Sequence, residues 1–246
     1  MDAELRDEQA NSFGRAVDEY ERARPNYPGE AVDWLIPAGA RTVLDLGAGT
    51  GKFTRSLVAR GLDVIAVEPD DVMRAALADA LPAVRALKGT AEGIPLPDAS
   101  VDLITAAQSW HWVDESRALP EAARVLKPGG SLALVWNIRD ESIPWVKRLG
   151  DIMGGSAAET AMQQGIAIGA PFGPTERFEV GWSKTTSPDG LLTLAASRSY
   201  IITASEERRA EIFDRLRELA TTDPALAGRQ EFELPYRTFC FRAVRP

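Results

Sequence analysis

VLDLGAGTGKF, from Val43 to Phe53, joins a short apolar run to an amphipathic segment through three closely spaced glycines. Gly47, Gly49 and Gly51 allow the backbone to turn sharply and let a ligand approach it without meeting a Cβ atom. The helix expected after them presents free backbone N–H groups at its start. The stretch therefore predicts a nucleotide-type site at the carboxyl end of a strand, with a tight turn that holds no ligand as the simpler alternative.

Two acidic residues strengthen the prediction of a ligand site. Asp45 stands two positions before the first glycine, where it can order the loop or meet an ammonium group. Glu68 ends the next apolar run, where its carboxylate can accept hydrogen bonds from both ribose hydroxyls of an adenosine. The glycine spacing is GxGxG, because Lys52 stands where the dinucleotide fingerprint GxGxxG has its third glycine. This spacing disfavours NAD.

Apolar runs alternate with amphipathic segments, which indicates βαβ crossovers and a parallel sheet with helices on both faces. The predicted strands are residues 42–46, 64–68, 101–107, 131–137, 177–182 and 231–244, with Pro235 marking the start of the last one or a bulge in it. The predicted helices are residues 13–20, a short one through Trp34 and Leu35, 52–60, 71–80, 115–126, one that Ser187 caps and that runs to 196, and one from Ser205 to about 219. Turns are expected at 25–28 and 127–130, and a mobile lid over 154–174.

Bulk composition predicts one packed domain over residues 1–246. The 246 residues are 45% hydrophobic and 26% charged, as in ordinary globular proteins. Their net charge of −8 is spread along the chain, which argues against a nucleic acid partner, and the apolar runs are too short to span a membrane. One cysteine, Cys240, and one histidine leave no internal disulfide and little for a metal site. With a polar, acidic first ten residues, this composition suggests a cytoplasmic protein that binds no metal.

Four segments resemble the class I S-adenosylmethionine (SAM)-dependent methyltransferases, near the type 11 and trans-aconitate-methyltransferase-like group. They are DLGAGTG with Glu68, GTAEGIPLP (89–97), VDLITAAQSWHW (101–112) and ARVLKPGGSLALVWN (123–137). The N-terminal YERARPNYP (20–28) is similar to a segment that covers the cofactor in that subfamily. The resemblance implies a doubly wound, Rossmann-like α/β fold with a seven-stranded sheet in the order 3-2-1-4-5-7-6, its last strand antiparallel. It divides the domain into N-terminal helices (10–36), a SAM-binding core (40–137), a lid and substrate-side insertion (138–204) and a C-terminal helix and strand (205–246).

The same resemblance implies SAM as cofactor and S-adenosylhomocysteine as product. The expected cofactor-binding residues are Asp45, Gly47, Ala48, Gly49, Gly51, Glu68, Pro69, Met73, Thr90, Ala91, Glu92 and Gln108. Thr90 stands where many relatives have an aspartate, so its hydroxyl or the carboxylate of Glu92 would have to meet the adenine amino group.

His111 is the candidate catalytic residue, because an imidazole near the transferable methyl group could deprotonate a hydroxyl or orient a carboxylate. A packed structural histidine between Trp110 and Trp112 is the alternative. The AQSWHW turn lacks the NPPY or DPPY motif of amino methyltransferases, which disfavours a nucleobase acceptor. Candidate substrate-side residues are Tyr20, Arg24, Tyr27, Trp110, Arg198 and Tyr200, of which the two arginines could each grip a carboxylate.

The expected function is methyl transfer from SAM to a small-molecule acceptor, at a carboxylate or hydroxyl oxygen, by in-line displacement. A protein that binds SAM or its product without catalysis is one alternative, and a nucleotide-dependent oxidoreductase is another. The protein is expected to act as a monomer or a homodimer.

Overall fold

The computed structural model describes residues 24–154, 159–160, 162 and 165–246. Its strands are β1 (Thr42–Leu46), β2 (Asp63–Val67), β3 (Arg85–Leu87), β4 (Val101–Ala107), β5 (Leu126–Arg139), β6 (Glu176–Thr186) and β7 (Phe232–Val244). Its helices include α1 (Gly29–Leu35), α2 (Lys52–Val58), α3 (Asp71–Ala80), α4 (Glu115–Val125), α5 (Pro144–Met153), α6 (Pro188–Ala196), α7 (Ser199–Ile202) and α8 (Glu206–Thr222), and a 3₁₀ turn covers Trp110–Trp112.

The described strands form a seven-stranded mixed sheet in the order β3-β2-β1-β4-β5-β7-β6, which confirms the expected order. β1 lies between β2 and β4 and pairs with both in parallel, and β3 and β5 extend the parallel region on either side. The direction of chain progress reverses between β1 and β4. In a doubly wound sheet, the crevice at the carboxyl ends of such a strand pair is where ligands bind.

Local sequence explains the elements around this crevice. Val43 and Leu44 point to opposite faces of β1 and are both buried, as expected of a parallel strand with a covered face on each side. Asp70 caps α3 by accepting hydrogen bonds from the backbone N–H groups of Val72 and Met73. Ser187, the predicted cap of α6, and Ser205, which precedes α8, also accept hydrogen bonds from the first turns of these helices.

Several predicted boundaries were wrong. Residues 127–130 form no separate turn, because β5 runs from Leu126 and absorbs the glycine pair at a register shift opposite Val101 and Leu103. Pro235 lies inside β7. The sequence pattern also missed β3 and the helices α5 and α7. The predicted helix over 13–20 and much of the predicted lid, namely 155–158, 161 and 163–164, lie outside the described residues.

The described chain divides into two compact units. The strand-rich unit comprises Asn26–Asn137, the described part of Ala161–Val180, and Thr238–Pro246. The helix-rich unit comprises the described residues of Met1–Pro25 and Ile138–Thr160, together with Gly181–Arg237. The predicted boundary after Asn137 coincides with a boundary between the units. Folding of residues 1–246 as a single domain stays a prediction.

Each unit has a hydrophobic core of its own. In the strand-rich unit, Val43, Phe53, Leu103 and Val135 belong to one buried cluster beside the central strands. In the helix-rich unit, α5, α6 and α8 and the first part of β7 supply the buried cluster, which includes Trp145, Leu149, Leu191, Leu216 and Phe232. Within the described part of the chain, no helix is both long and apolar enough to cross a membrane.

Candidate functional site

The loop after β1 is held at both sides. The backbone N–H groups of Gly47 and Ala48 donate to the carbonyl oxygen of Val67 at 2.8 and 3.1 Å, which ties the loop to the end of β2. On the β4 side, the hydroxyl of Ser109 donates to the carbonyl oxygen of Leu46 at 3.0 Å. Gly47 has a φ of +69°, and a Cβ atom there would lie 2.7 Å from the Cβ of Ser109. Only glycine fits this close approach of β1 and β4.

The next two glycines complete the turn into α2. Gly49 has a φ of +58° and faces the sulfur of Met73, which would lie 3.6 Å from a Cβ atom added to the glycine. Gly51 has a φ of +85° and is the residue that precedes α2. The left-handed backbone at both positions favours glycine and leaves the main chain of the loop open to close approach.

Glu68 joins the glycine loop to the start of α3. One of its carboxylate oxygens accepts a hydrogen bond from the backbone N–H of Gly49 at 2.7 Å, and the other accepts one from the N–H of Asp70 at 2.9 Å. Glu68 is only 7% exposed, and burial raises its pKa to about 7 although both N–H groups favour the charged form. Each carboxylate oxygen keeps a second lone pair, so the group can still accept hydrogen bonds from ligand hydroxyls.

Both carboxylate oxygens of Asp45 accept hydrogen bonds from protein hydroxyls. Asp45 is 1% exposed, and its two oxygens accept hydrogen bonds from Thr54 at 2.6 Å and from Thr105 at 3.0 Å. Burial raises its pKa to about 6, and the two hydroxyls oppose that rise. Asp45 therefore links β1 to α2 and β4. Of the two roles left open by the sequence, this arrangement favours ordering of the loop over contact with an ammonium group.

The predicted adenine-side residues follow β3 in a short connection. Thr90 and Gly93 form an antiparallel bridge, and Ala91 between them is buried. The carboxylate of Glu92 accepts a hydrogen bond from the backbone N–H of Asp114 at 2.8 Å, just before α4. Pro69 is exposed at the start of the neighbouring turn. Their contact with an adenine ring stays a prediction.

Gln108 and Asn137 form a polar group at the carboxyl ends of β4 and β5. Gln108 has a φ of +58°, and its side-chain amide donates to the carbonyl oxygen of Asn137 at 2.9 Å. Asn137 donates to the carbonyl oxygen of Asn26 at 3.1 Å and accepts from the hydroxyl of Thr238 at 2.6 Å. Sequence reasoning missed Asn137. Its signal was a polar residue directly after the apolar run Leu132–Trp136 of β5.

His111 accepts a hydrogen bond at Nδ1 from the indole N–H of Trp136, at 3.2 Å. An indole nitrogen can only donate, so Nδ1 must carry the lone pair. The proton of the neutral imidazole then lies on Nε2, which makes that atom a hydrogen-bond donor. Trp110, next to it, is 3% exposed and donates its own indole N–H to Glu115 at 2.9 Å, which makes it chiefly a packed residue.

The predicted substrate-side residues fall in different units. Tyr27 lies in the strand-rich unit, where its ring packs edge-on against Phe53 at 4.8 Å. Arg24, Arg198 and Tyr200 lie in the helix-rich unit. Tyr20 lies outside the described residues. The predicted cofactor residues, by contrast, all lie in the strand-rich unit, with Gly47, Gly49, Glu68 and Met73 in one continuous set of contacts.

Comparisons with known proteins agree on a methyltransferase. A family model described as a methyltransferase domain matches residues 44–134. An uncharacterized methyltransferase of Mycobacterium tuberculosis is 53% identical over 233 residues, which cover 95% of both chains. A malonyl-[acyl-carrier protein] O-methyltransferase of Pectobacterium atrosepticum is 37% identical over 128 residues, 50% of this chain and 51% of that one. A solved structure of a putative type II methyltransferase from Anaeromyxobacter dehalogenans matches with a TM-score of 0.59 and 25% identity, over 90% of this chain and 97% of the other.

Proposed function

The chain belongs to the SAM-dependent methyltransferases, and from that premise we propose that it transfers a methyl group to an oxygen atom of a small-molecule acceptor. Family membership sets aside the oxidoreductase alternative. SAM is the methyl donor, and when bound it supplies a methyl group on a positively charged sulfur that leaves as a neutral thioether.

The contact between Glu68 and Gly49 is the observation that carries the proposal. It brings the carboxylate that follows β2 against the open backbone of the glycine loop, at 2.7 Å. The donor set fits an adenosyl group, because a buried carboxylate with lone pairs to spare accepts hydrogen bonds from two adjacent ribose hydroxyls. Pro69 and Met73 supply apolar surface beside it. Asp45 contributes by fixing the loop, since both of its oxygens are taken by threonine hydroxyls.

His111 supports an oxygen acceptor. With its proton on Nε2, the imidazole can donate a hydrogen bond to a carboxylate or another oxygen and hold it in line for displacement. Orientation of this kind needs no proton transfer, because a carboxylate acceptor is already deprotonated at neutral pH. The O-methyltransferase that is similar to half of this chain is consistent with an oxygen acceptor.

Calorimetric titration with SAM and S-adenosylhomocysteine tests the cofactor site. We expect Glu68→Ala to weaken both affinities by about tenfold or more, because a buried charged acceptor of two hydroxyls is lost. Asp79→Ala removes an exposed carboxylate of α3 and serves as the matched control, with unchanged affinity. Equal affinities for wild type and Glu68→Ala would refute the assigned site. Transfer of label from methyl-labelled SAM to a panel of hydroxy and carboxylic acids then tests the acceptor class.

A further inference from the structure

Three arginines meet in the helix-rich unit, and none of them is among the residues assigned to the cofactor. Arg139 ends β5, and its side chain is 0% exposed. One terminal nitrogen donates to Glu159 at 2.8 Å, and the other lies 3.8 Å from the sulfur of Met153. Its Nε is buried and has no hydrogen-bond partner among the described residues. A buried guanidinium N–H without an acceptor is costly, so this donor marks a place for a further acceptor.

Arg198 directs a second such donor into the same region. Its Nε is also buried and lacks a partner within the described residues. Burial, together with the positive charges of Arg24 and Arg139, lowers the pKa of Arg198 to about 10. Arg24 donates to the carbonyl oxygen of Ser197, next to Arg198, at 3.1 Å. The three guanidinium groups are therefore close enough to repel one another.

The hydroxyl of Tyr236 is an uncharged hydrogen-bond donor in the same region. Tyr236 is 2% exposed, and its hydroxyl has no partner in the described part of the chain. The same three arginines act on that hydroxyl, so it belongs to the same cluster. Its ring stacks on Trp182, with centroids 5.3 Å apart and planes inclined by 23°. The cluster thus combines several buried donors with an aromatic wall.

Two described carboxylates of the same unit act on the cluster. Glu159 pairs with Arg139 and also acts on Arg198, and Glu141 lies within electrostatic range of Arg139. Arg24 and Arg198 are each only partly buried, so both side chains keep some contact with solvent.

We infer that Arg24, Arg139, Arg198 and Tyr236 form a binding site for a small organic carboxylate. A carboxylate suits the planar N–H groups of several guanidinium ions and would accept hydrogen bonds from the buried Nε atoms and the tyrosine hydroxyl. Its carbon skeleton would lie against the aromatic pair of Tyr236 and Trp182. All of these residues lie in the helix-rich unit, so the inference uses none of the residues assigned to the cofactor.

Titration of the full-length protein with succinate, benzoate and inorganic phosphate at constant ionic strength tests this inference. We expect saturable binding of a carboxylate, and a loss of about tenfold or more for Arg198→Met, which removes one guanidinium. Tyr236→Phe removes only the hydroxyl and should weaken binding about two- to fivefold without loss of folding. Arg229→Met, an exposed arginine of the same unit, is the matched control and should bind as wild type does.

Three results would overturn the inference: no binding of either carboxylate, binding of phosphate alone, or carboxylate binding that Arg198→Met and Tyr236→Phe both leave unchanged. S-adenosylhomocysteine affinity, measured on the same preparations, verifies folding of each variant. The same measurement separates the two proposals. If the cofactor site is wrong, the titration with S-adenosylhomocysteine shows it. If the carboxylate site is wrong, only the titration with carboxylates shows it.

Discussion

Two buried carboxylates stand at the ends of neighbouring strands and have different partners. Glu68 accepts hydrogen bonds from two backbone N–H groups, whereas Asp45 accepts them from two threonine hydroxyls. Burial raises the pKa of both, to about 7 for Glu68 and about 6 for Asp45. In each case the folded protein binds its proton more tightly than the unfolded chain does. Both groups therefore cost stability once the pH rises above their unfolded pKa values.

The Asp45→Asn variant measures how much stability the buried Asp45 carboxylate costs. The carboxylate titrates near 3.8 in the unfolded chain and near 6 in the folded protein, so the wild-type free energy of unfolding should fall between these values. Compared with the Asp45→Asn variant, the wild-type protein should lose about 3 kcal/mol of unfolding free energy over this pH range, and the difference should then level off. The threonine hydroxyls can rotate to accept from an amide, so the variant should fold.

Urea denaturation from pH 4 to pH 7 measures the difference between the two proteins. Asp79→Asn, which changes an exposed carboxylate, is the control and should give a curve parallel to that of the wild type. Parallel curves for wild type and Asp45→Asn would instead contradict the assigned burial effect.

Two substitutions of His111 test whether its imidazole acts as a hydrogen-bond donor or as a catalytic base. Glutamine can donate a hydrogen bond from a position near that of Nε2 but does not titrate, and phenylalanine can do neither. We expect His111→Gln to keep more than about a tenth of turnover and His111→Phe to lose more than that, with SAM affinity unchanged in both. Turnover assays with labelled SAM and an identified acceptor provide the measurement. Equal losses in the two variants would exclude the donor role.

Sequence patterns anticipated the residues whose partners are close along the chain. The glycines and Glu68 follow a short, regular spacing, so the contact between Gly49 and Glu68 was predictable. Asn137, by contrast, bonds to Asn26 and Thr238, which are 111 and 101 residues away. Trp136 was read as part of an apolar strand, and its hydrogen bond to His111 arises only when β4 and β5 pair. The buried Arg139 gave no local signal, because an arginine at a strand end is usually solvated.

The connection between β1 and α2 offers a test at the level of an element. Gly39 and Gly47 both have positive φ angles, but a Cβ atom meets nothing within 4 Å at Gly39 and collides with Ser109 at Gly47. Gly39→Ala should therefore cost about 1 kcal/mol of unfolding free energy, from backbone strain alone. Gly47→Ala should cost about 3 kcal/mol or more, since the collision adds to the strain.

Urea denaturation measures both variants, and the double variant Gly47→Ala/Ser109→Gly should recover part of the loss because it removes the colliding Cβ atom. If Gly39→Ala and Gly47→Ala lower the unfolding free energy by the same amount, the close approach of Gly47 to Ser109 would be wrong.

The elements that the sequence failed to predict are short or unusual in composition. β3 has only three residues, and its side chains are not fully buried, so no apolar run in the sequence indicated a strand there. The glycines of KPGG indicate a turn, yet they lie within β5, where Gly129 donates to the backbone of Arg245 and Gly130 accepts from it. The helix α5 begins at a proline in a segment to which no element was assigned, and its buried face became recognisable only through packing against α8. Tertiary contacts outweighed local preference in all three.

For the whole molecule, the two units predict separate responses to ligands. The assigned cofactor residues lie in the strand-rich unit, so S-adenosylhomocysteine should slow amide hydrogen exchange mainly at residues 46–51 and 68–73. A carboxylate that binds the arginine cluster should instead slow exchange around residues 139 and 197–200. Exchange monitored by mass spectrometry distinguishes these patterns. Protection by S-adenosylhomocysteine confined to residues 181–237 would contradict the assignment.

The indole of Trp136 holds the only imidazole in the chain. A nitrogen-15 magnetic resonance spectrum therefore contains a single pair of imidazole signals, and these need no mutant for their identification. The chemical shifts of the two nitrogens distinguish a protonated from an unprotonated atom directly. One spectroscopic sample can thus follow the protonation of this ring while cofactor or acceptor is added, with the enzyme's native sequence intact.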